Sequence, residues 1–202
     1  MASIYDLKPK FQGLLRPITS SLAKFGVTAN QVTVFAAALS IGAGACVGVW
    51  PMEKWPLLMI PGMLFVRMAL NAIDGMLARE HDMKSNLGAV LNEIGDVVSD
   101  SALYLPLALV PGFRPELVVA AVLLAVISEM TGVVAVQIGA TRRYEGPMGK
   151  SDRAFVFGLI CLLMGCGLSP APWLDFALGV ILLLLVATIF NRAKRALKEV
   201  NE

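Results

Sequence analysis

The sequence predicts an all-α integral membrane protein, a six-transmembrane-helix bundle with an amino-terminal interfacial amphipathic helix. Three observations carry this. Of 202 residues, 57% are apolar and only 16% charged, with a mean hydropathy of +0.72, whereas a soluble domain carries about 25% charged residues. Six stretches approach the roughly 20 mostly apolar residues needed to cross about 30 Å of hydrocarbon. The basic residues segregate to one side of those stretches. The same composition excludes a disordered chain, a disulfide scaffold and a collagen-like chain. A net charge of +2 is too small to mark a nucleic-acid binder.

The elements follow in order. Ile4, Leu7, Phe11, Leu14, Leu15, Ile18 and Leu22 recur at helical spacing opposite lysines and arginines, which predicts a helix over 1–26 lying in the membrane interface and bending near Pro17. The predicted spans are 29–50, 55–79, 87–111, 117–140, 154–168 and 173–190, and 191–202 form a tail. The fifth span is short and ends at Ser169-Pro170-Ala171-Pro172, a tight turn into the sixth. With no repeat, low-complexity tract or soluble segment, 1–202 reads as a single membrane domain.

Of the 17 basic residues, 14 fall on one side: in the amino-terminal segment, in the second-to-third and fourth-to-fifth connections, and at the carboxy terminus. Lys54 and Arg114 lie on the other side and Arg67 inside a span. By the positive-inside rule both termini are cytoplasmic. Cys46, Cys161 and Cys166 sit in apolar stretches without metal-ligand spacing and read as small buried hydrophobes. His81 is a lone loop histidine with no assigned role.

Charge inside a span marks function by default, and it concentrates where spans two and three meet. Arg67, Asn71, Asp74 and Ala78 fall within about 60° of one another on a helix. Gly88, Asn92 and Asp96 are successive one-turn neighbours on the next. Carboxylate and amide oxygens suit a hard divalent cation, Mg2+ or Mn2+. Gly75 and Ala78 leave room for a flat or bulky group, and Arg79 offers a fork to a phosphate or nucleotide. From chemistry alone, a structural polar network or an ion pathway stays open.

The residues Asn71-Ala-Ile-Asp74-Gly75-Met-Leu-Ala78-Arg79, then eight residues, then Gly88-Ala-Val-Leu-Asn92-Glu93-Ile-Gly95-Asp96 resemble the signature of the CDP-alcohol phosphotransferase (CDP-alcohol phosphatidyltransferase) family. Every spacing matches. The family has aspartate at four positions; here the first and third are Asn71 and Asn92. The resemblance implies transfer of a phosphatidyl group from CDP-diacylglycerol to the hydroxyl of a polar alcohol, with release of CMP. It implies Asp96 as the catalytic base and Asp74, Asn71, Asn92 and Asp96 as the metal site. Asn30, Thr33, Asn71, Asp74, Gly75, Ala78, Arg79 and Gly88 would bind the nucleotide-linked donor. It further implies a homodimer, in contact with membrane lipid.

The two asparagines keep oxygen donors but remove two negative charges, so one divalent ion is favoured over two. Glu93 stands about 100° from Asn92 on a helix, which argues against its replacing a lost ligand. At about 1.5 Å per residue, Arg67, Asp100 and Glu129 reach a similar depth, and an ion cluster joining Arg67 to Asp100 or Glu129 is expected.

Gly26-Val-Thr28-Ala-Asn30-Gln31-Val-Thr33 opens the first span. Asn30 and Thr33 as phosphate donors and Thr28 as a simple helix cap are both open readings. The connection Arg142 to Arg153 is dense in cations and ends at a helix start, an anion-site pattern. It resembles the acceptor region of members that take a phosphorylated polyol, which makes Arg142, Lys150 and Arg153 acceptor candidates. Topology and lipid phosphate contact explain the same charges, and Ser151-Asp152 reads as a helix cap. Two rivals stand beside the transferase: a degenerate member that binds CDP-lipid without turnover, and a transporter, which lacks the inverted repeats of that class.

Overall fold

The structure, a computed structural model, describes residues 4–170 and 172–202 and the side chains from Phe11 onward within them. The Ile4 and Leu7 side chains of the expected amphipathic face, and Ala171 of the expected turn, lie outside the described residues. Among these the chain is all-α, with seven α-helices: α1 (Ile4–Lys24), α2 (Ala29–Val49), α3 (Trp55–Glu80), α4 (Asn86–Tyr104), α5 (Pro115–Gln137), α6 (Lys150–Gly165) and α7 (Pro172–Asn201).

α1 is the expected amphipathic helix, continuous through Pro17. The other six coincide with the six apolar stretches, and four of them, α2, α3, α5 and α7, are long and apolar enough to cross a membrane. The protein is multi-pass. α4 and α6 fall short of that measure for separate reasons. α6 spans only 16 residues, while α4, with 19, carries three charged residues, Glu93, Asp96 and Asp100; the stretch expected over 87–111 is also interrupted. Pro106 has no N–H to donate and its ring disfavours the preceding turn, so α4 stops at Tyr104 and a 3-10 segment, Leu105–Leu109, follows. α7 instead runs past 190 through the expected tail, because Ala-Lys-Arg-Ala-Leu-Lys-Glu are strong helix formers.

Helix ends are set locally. Thr28 and Gln31 cap α2 reciprocally: the Gln31 N–H donates to Thr28 Oγ1 at 3.3 Å and the Thr28 N–H to Gln31 Oε1 at 2.9 Å, a capping box. Ser85 starts α4 by accepting the Gly88 N–H at 2.9 Å. The Gly149 N–H donates to the Asp152 carboxylate at 2.9 Å, so the expected cap of α6 is supplied by Asp152.

The chain forms two compact units. The first comprises Met1–Ile41 and Met63–Ser99. In it Leu15, Ala29, Val32, Ile73, Met76 and Leu77 form a core, with Phe11 and Leu22 against it. Thus α1 buries one edge of its apolar face, while Leu14 and Ile18 stay 75% and 52% exposed, available to lipid. Arg16 also grips Glu80 through two hydrogen bonds at 3.0 and 3.1 Å.

The second unit comprises Gly42–Gly62 and Asp100–Glu202. α5 packs on α7, burying Val118, Ala121, Ala125, Leu174, Leu178 and Leu185. Tyr104 stacks on Phe157 with ring centroids 4.3 Å apart. Gly44 lies so close to the Ala102 carbonyl that a methyl group there would overlap it.

Gly44→Ala is therefore expected to destabilise the detergent-solubilised protein by roughly 1–3 kcal/mol. Gly42→Ala has open space around it and should be neutral or stabilising through helix propensity. Equal thermal-unfolding midpoints for the two variants would refute the close approach at Gly44.

Candidate active site

The first turns of α2, the last turns of α3 and the first turns of α4 enclose a cavity of about 460 Å³ in the first unit. Asn30, Thr33, Asp74, Gly75, Ala78, Arg79, Gly88 and Asn92 all line it. Asp74 and Ala78 of the α3 stripe and Gly88 and Asn92 of the α4 stripe thus share one cavity with the capped start of α2. Asn71 and Asp96 stand one helical turn further along α3 and α4, where Asn71 Nδ2 donates to Asp96 Oδ1 at 3.5 Å.

Each small residue in the motif has a geometric reason. A Cβ at Gly88 would come within 2.7 Å of Asn30 Oδ1, so glycine lets the start of α4 approach the start of α2. A Cβ at Gly75 would lie 3.1 Å from both terminal nitrogens of Arg79, so the guanidinium rests over a bare stretch of helix. Thr33 Oγ1 lies 2.8 Å from Asp74 Oδ2 and 3.1 Å from the Ala29 carbonyl. Its single proton orients Asp74, which is buried. At the α2 entrance Thr28 caps the helix, and Asn30 and Thr33 line the cavity.

Sequence reasoning missed Ser85, which caps α4 and accepts from Asn30 Nδ2 at 3.5 Å, and Lys84, which lines the cavity. The spacing Ser85-x-x-Gly88 before an apolar run was the available signal for the cap.

Arg67 is buried, with its guanidinium 3.5 Å from Asp96 Oδ1 and donating to the Asp96 carbonyl at 3.1 Å. Asp100 and Glu129 form ion pairs with Arg153 in the second unit. The donor chemistry fits one hard divalent ion: carboxylates from Asp74 and Asp96, and amide oxygens from Asn71 and Asn92. Among the described residues no three His, Cys, Asp or Glu side chains converge, and Arg67 already places a cation beside Asp96.

The acceptor candidates belong to the second unit. Arg153 is 1% exposed. It donates to Asp100 at 2.7 and 3.0 Å, to Glu129 at 2.9 Å and to the Met148 carbonyl at 3.3 Å. Arg142 donates to Glu129 at 2.9 Å and lies over the Tyr144 ring at 4.5 Å. Lys150 opens α6 and is half-buried. Arg192, read from sequence only as a topology signal, joins them: it is 1% exposed and 3.2 Å from Glu129. Nearby, burial pushes the Glu145 carboxyl up, but backbone N–H donors and Arg143 outweigh it and hold the group below its usual range.

Comparison with known proteins matches these features to a family. The CDP-alcohol phosphatidyltransferase profile covers residues 26–195, and the chain belongs to that family. Inner membrane protein YnbA of Escherichia coli is 42% identical over 195 residues, 96% of each chain. Phosphatidylinositol phosphate synthase of Mycobacterium marinum is 29% identical, over 88% of this chain and 75% of its own. Two crystal structures of the Mycobacterium tuberculosis phosphatidylinositol phosphate synthase share the fold. One, with CDP-DAG bound, has a TM-score of 0.71 at 21% identity, covering 91% of this chain and 92% of that one. The other, in complex with manganese and citrate, has a TM-score of 0.76 at 19% identity, covering 90% and 88%.

Arg67→Ala should cost about 1–3 kcal/mol by leaving the half-buried Asp96 carboxylate without its cation. Adding Asp96→Asn should restore folded yield and unfolding temperature. Stable, monodisperse Arg67→Ala protein would show that the pair has no structural role.

Proposed function

We propose that this chain transfers the phosphatidyl group of CDP-diacylglycerol to the hydroxyl of a polar alcohol, releasing CMP. One observation carries the reading: Asp74, Gly75, Ala78 and Arg79 of α3, Gly88 and Asn92 of α4 and the Asn30/Thr33 edge of α2 line a single cavity, with Asn71 and Asp96 one turn beyond it. Family membership and the CDP-DAG complex of a protein with the same fold support the donor class.

In this reading Arg79 and Lys84 bind the donor phosphates as cations at the cavity mouth, Arg79 with its planar fork. Gly75 and Ala78 leave the helix surface flat enough for the nucleotide, while Asn30 and Thr33 offer polar groups at the start of α2. Asp96 takes the proton of the acceptor hydroxyl. The freed oxygen attacks the phosphatidyl phosphorus, and the bond from that phosphorus to the CMP oxygen breaks. Arg67 and Asn71 hold the Asp96 carboxylate in position. One Mg2+ or Mn2+, held chiefly by Asp74 with Asp96, Asn71 and Asn92, would supply Lewis-acid charge stabilisation to the pyrophosphate when bound; the manganese complex of the same fold supports that ion class.

The proposal extends to six spans, with α4 and α6 crossing beside the four longer helices, and to both termini and the site facing the cytoplasm, on the basic-residue count. The family profile runs across both units, which supports one membrane domain over 1–202. Arg142, Lys150 and Arg153 are proposed for the acceptor side, and a homodimer for the assembly.

Purified protein with CDP-diacylglycerol, Mg2+ or Mn2+ and a panel of alcohols should release CMP only when metal and one acceptor class are both present. Asp96→Asn should lower the rate at least about 100-fold. Retained CDP-lipid binding with no CMP from any mixture would establish instead the non-turnover reading that Asn71 and Asn92 favour.

A further inference from the structure

The last two turns of α3 have two working faces. Asp74, Gly75, Ala78 and Arg79 line the cavity. Ile73, Met76, Leu77 and Glu80 are centred about 180° from them around the helix, and this second face meets α1. Ile73, Met76 and Leu77 share a core with Leu15. Thr19 is fully buried, its hydroxyl 4.0 Å from Met76 Sδ, and Arg16 grips Glu80 through its two hydrogen bonds. α1 therefore backs the wall that carries Asp74 and Arg79.

The same helix fixes the start of α2. The Gly26 N–H donates to the Ala23 carbonyl and the Val27 N–H to the Leu22 carbonyl, both at 3.0 Å. Gly26 has φ +76°, the left-handed ending that closes a helix in a Schellman turn. α2 then begins at Ala29, and Asn30 and Thr33 of its first turns line the cavity. Ala29 and Val32 belong to the same core as Leu15. The position of α1 thus sets how the start of α2 and the end of α3 stand to one another.

A separate stripe of this segment faces outward. Leu14, Ile18 and Phe25 fall within about 40° of one another on a helix and are 75%, 52% and 85% exposed. The membrane is close at hand, since α2 is itself long and apolar enough to span it. By sequence, Lys8, Lys10, Arg16 and Lys24 outnumber the one acid of α1, Asp6. An apolar stripe on a basic helix suits a lipid leaflet with anionic headgroups.

Resting on the transferase reading above, we propose that α1 is a leaflet-sensing element that regulates the cavity. Leu14, Ile18 and Phe25 seat in an anionic leaflet, and the Leu15 core and the Arg16–Glu80 clamp carry that seat to the α3 wall bearing Asp74 and Arg79. On a neutral leaflet α1 is held less firmly, and the motif end of α3 loosens with it.

The test compares the full chain in nanodiscs of phosphatidylcholine alone and of phosphatidylcholine with phosphatidylglycerol. Amide hydrogen exchange is followed over 12–25 and 73–80. Wild type should exchange at least about fivefold more slowly over both segments in the anionic discs. Leu14→Gln/Ile18→Gln should erase both differences, with an unfolding midpoint in detergent equal to wild type because the replaced side chains are exposed. Glu80→Gln should keep the difference over 12–25 and shrink the one over 73–80. In parallel, CMP release from CDP-diacylglycerol should rise at least about threefold with phosphatidylglycerol in wild type and not in Leu14→Gln/Ile18→Gln.

Equal exchange over 73–80 in the two discs overturns the proposal. So does a difference that survives Leu14→Gln/Ile18→Gln, a Glu80→Gln protein that behaves as wild type over 73–80, or CMP release that ignores leaflet charge. If no mixture yields CMP, the transferase reading fails, while the exchange still decides whether α1 couples the leaflet to the α3 wall.

Discussion

A charge held in apolar surroundings costs several kcal/mol unless an opposite charge and hydrogen bonds compensate it, and this chain carries such charges in both of its units. In the first, Arg67 lies against Asp96 while Asn71 and Thr33 donate to Asp96 and Asp74. In the second, Arg153 and Arg192, each 1% exposed, are the largest fully buried side chains among the described residues; Glu129 compensates both and Asp100 pairs with Arg153. Arginine suits these positions because five donors in a rigid fork serve a carboxylate and several carbonyls together. Arg192 does so with Glu129, Ser128, Tyr144 and Glu145. Lysine, with three donors around one nitrogen, would leave some of them unmet.

The second requirement is close approach. Where a polar side chain must lie close to a helix backbone, that backbone is bare. Gly88 admits the Asn30 amide, Gly75 lies under the Arg79 guanidinium and Gly132 under that of Arg142. A methyl group at Gly88 or Gly132 would push the polar partner off its position. These glycines follow from the polar groups they accommodate, and Gly44 against Ala102 shows the same device for plain helix packing.

The helices were legible because hydropathy runs and breakers are local signals. Ser85, Gly149 and Pro172 each begin a helix at a place the chain itself marks. The end of α4 was equally marked by Pro106, but an apolar run that continues to Val110 masked it. The site was legible where it is periodic: Asn71, Asp74 and Ala78 share a face by arithmetic, and the structure puts Asp74 and Ala78 on the cavity. Partnerships were not legible. Nothing in the order of residues tells Arg192 from the other basic residues of the carboxy-terminal segment, because its burial comes from α5 and the loop before α6. Arg153 read as an acceptor candidate at a helix start, and its pairing with Asp100 and Glu129 could not be read from the order of residues for the same reason.

The electrostatics of the cavity then bear on how many metal ions the proposed chemistry would use. Asp74 and Asp96 contribute two negative charges and Arg67 one positive, leaving a single net negative charge. The pyrophosphate of a CDP-lipid brings two more, and Arg79 and Lys84 offset two of the total. One divalent ion would leave that set one charge positive, and a second would leave it three charges positive in a low-dielectric cavity, where unbalanced charge is costly. Aspartate at 71 and 92 would reverse that balance by supplying the two charges a second ion needs. The two asparagines and the buried Arg67 are therefore one coupled feature. With amides at 71 and 92, Arg67 can stand beside Asp96 without competing for the only charge that holds a metal, because Asp74 keeps its own.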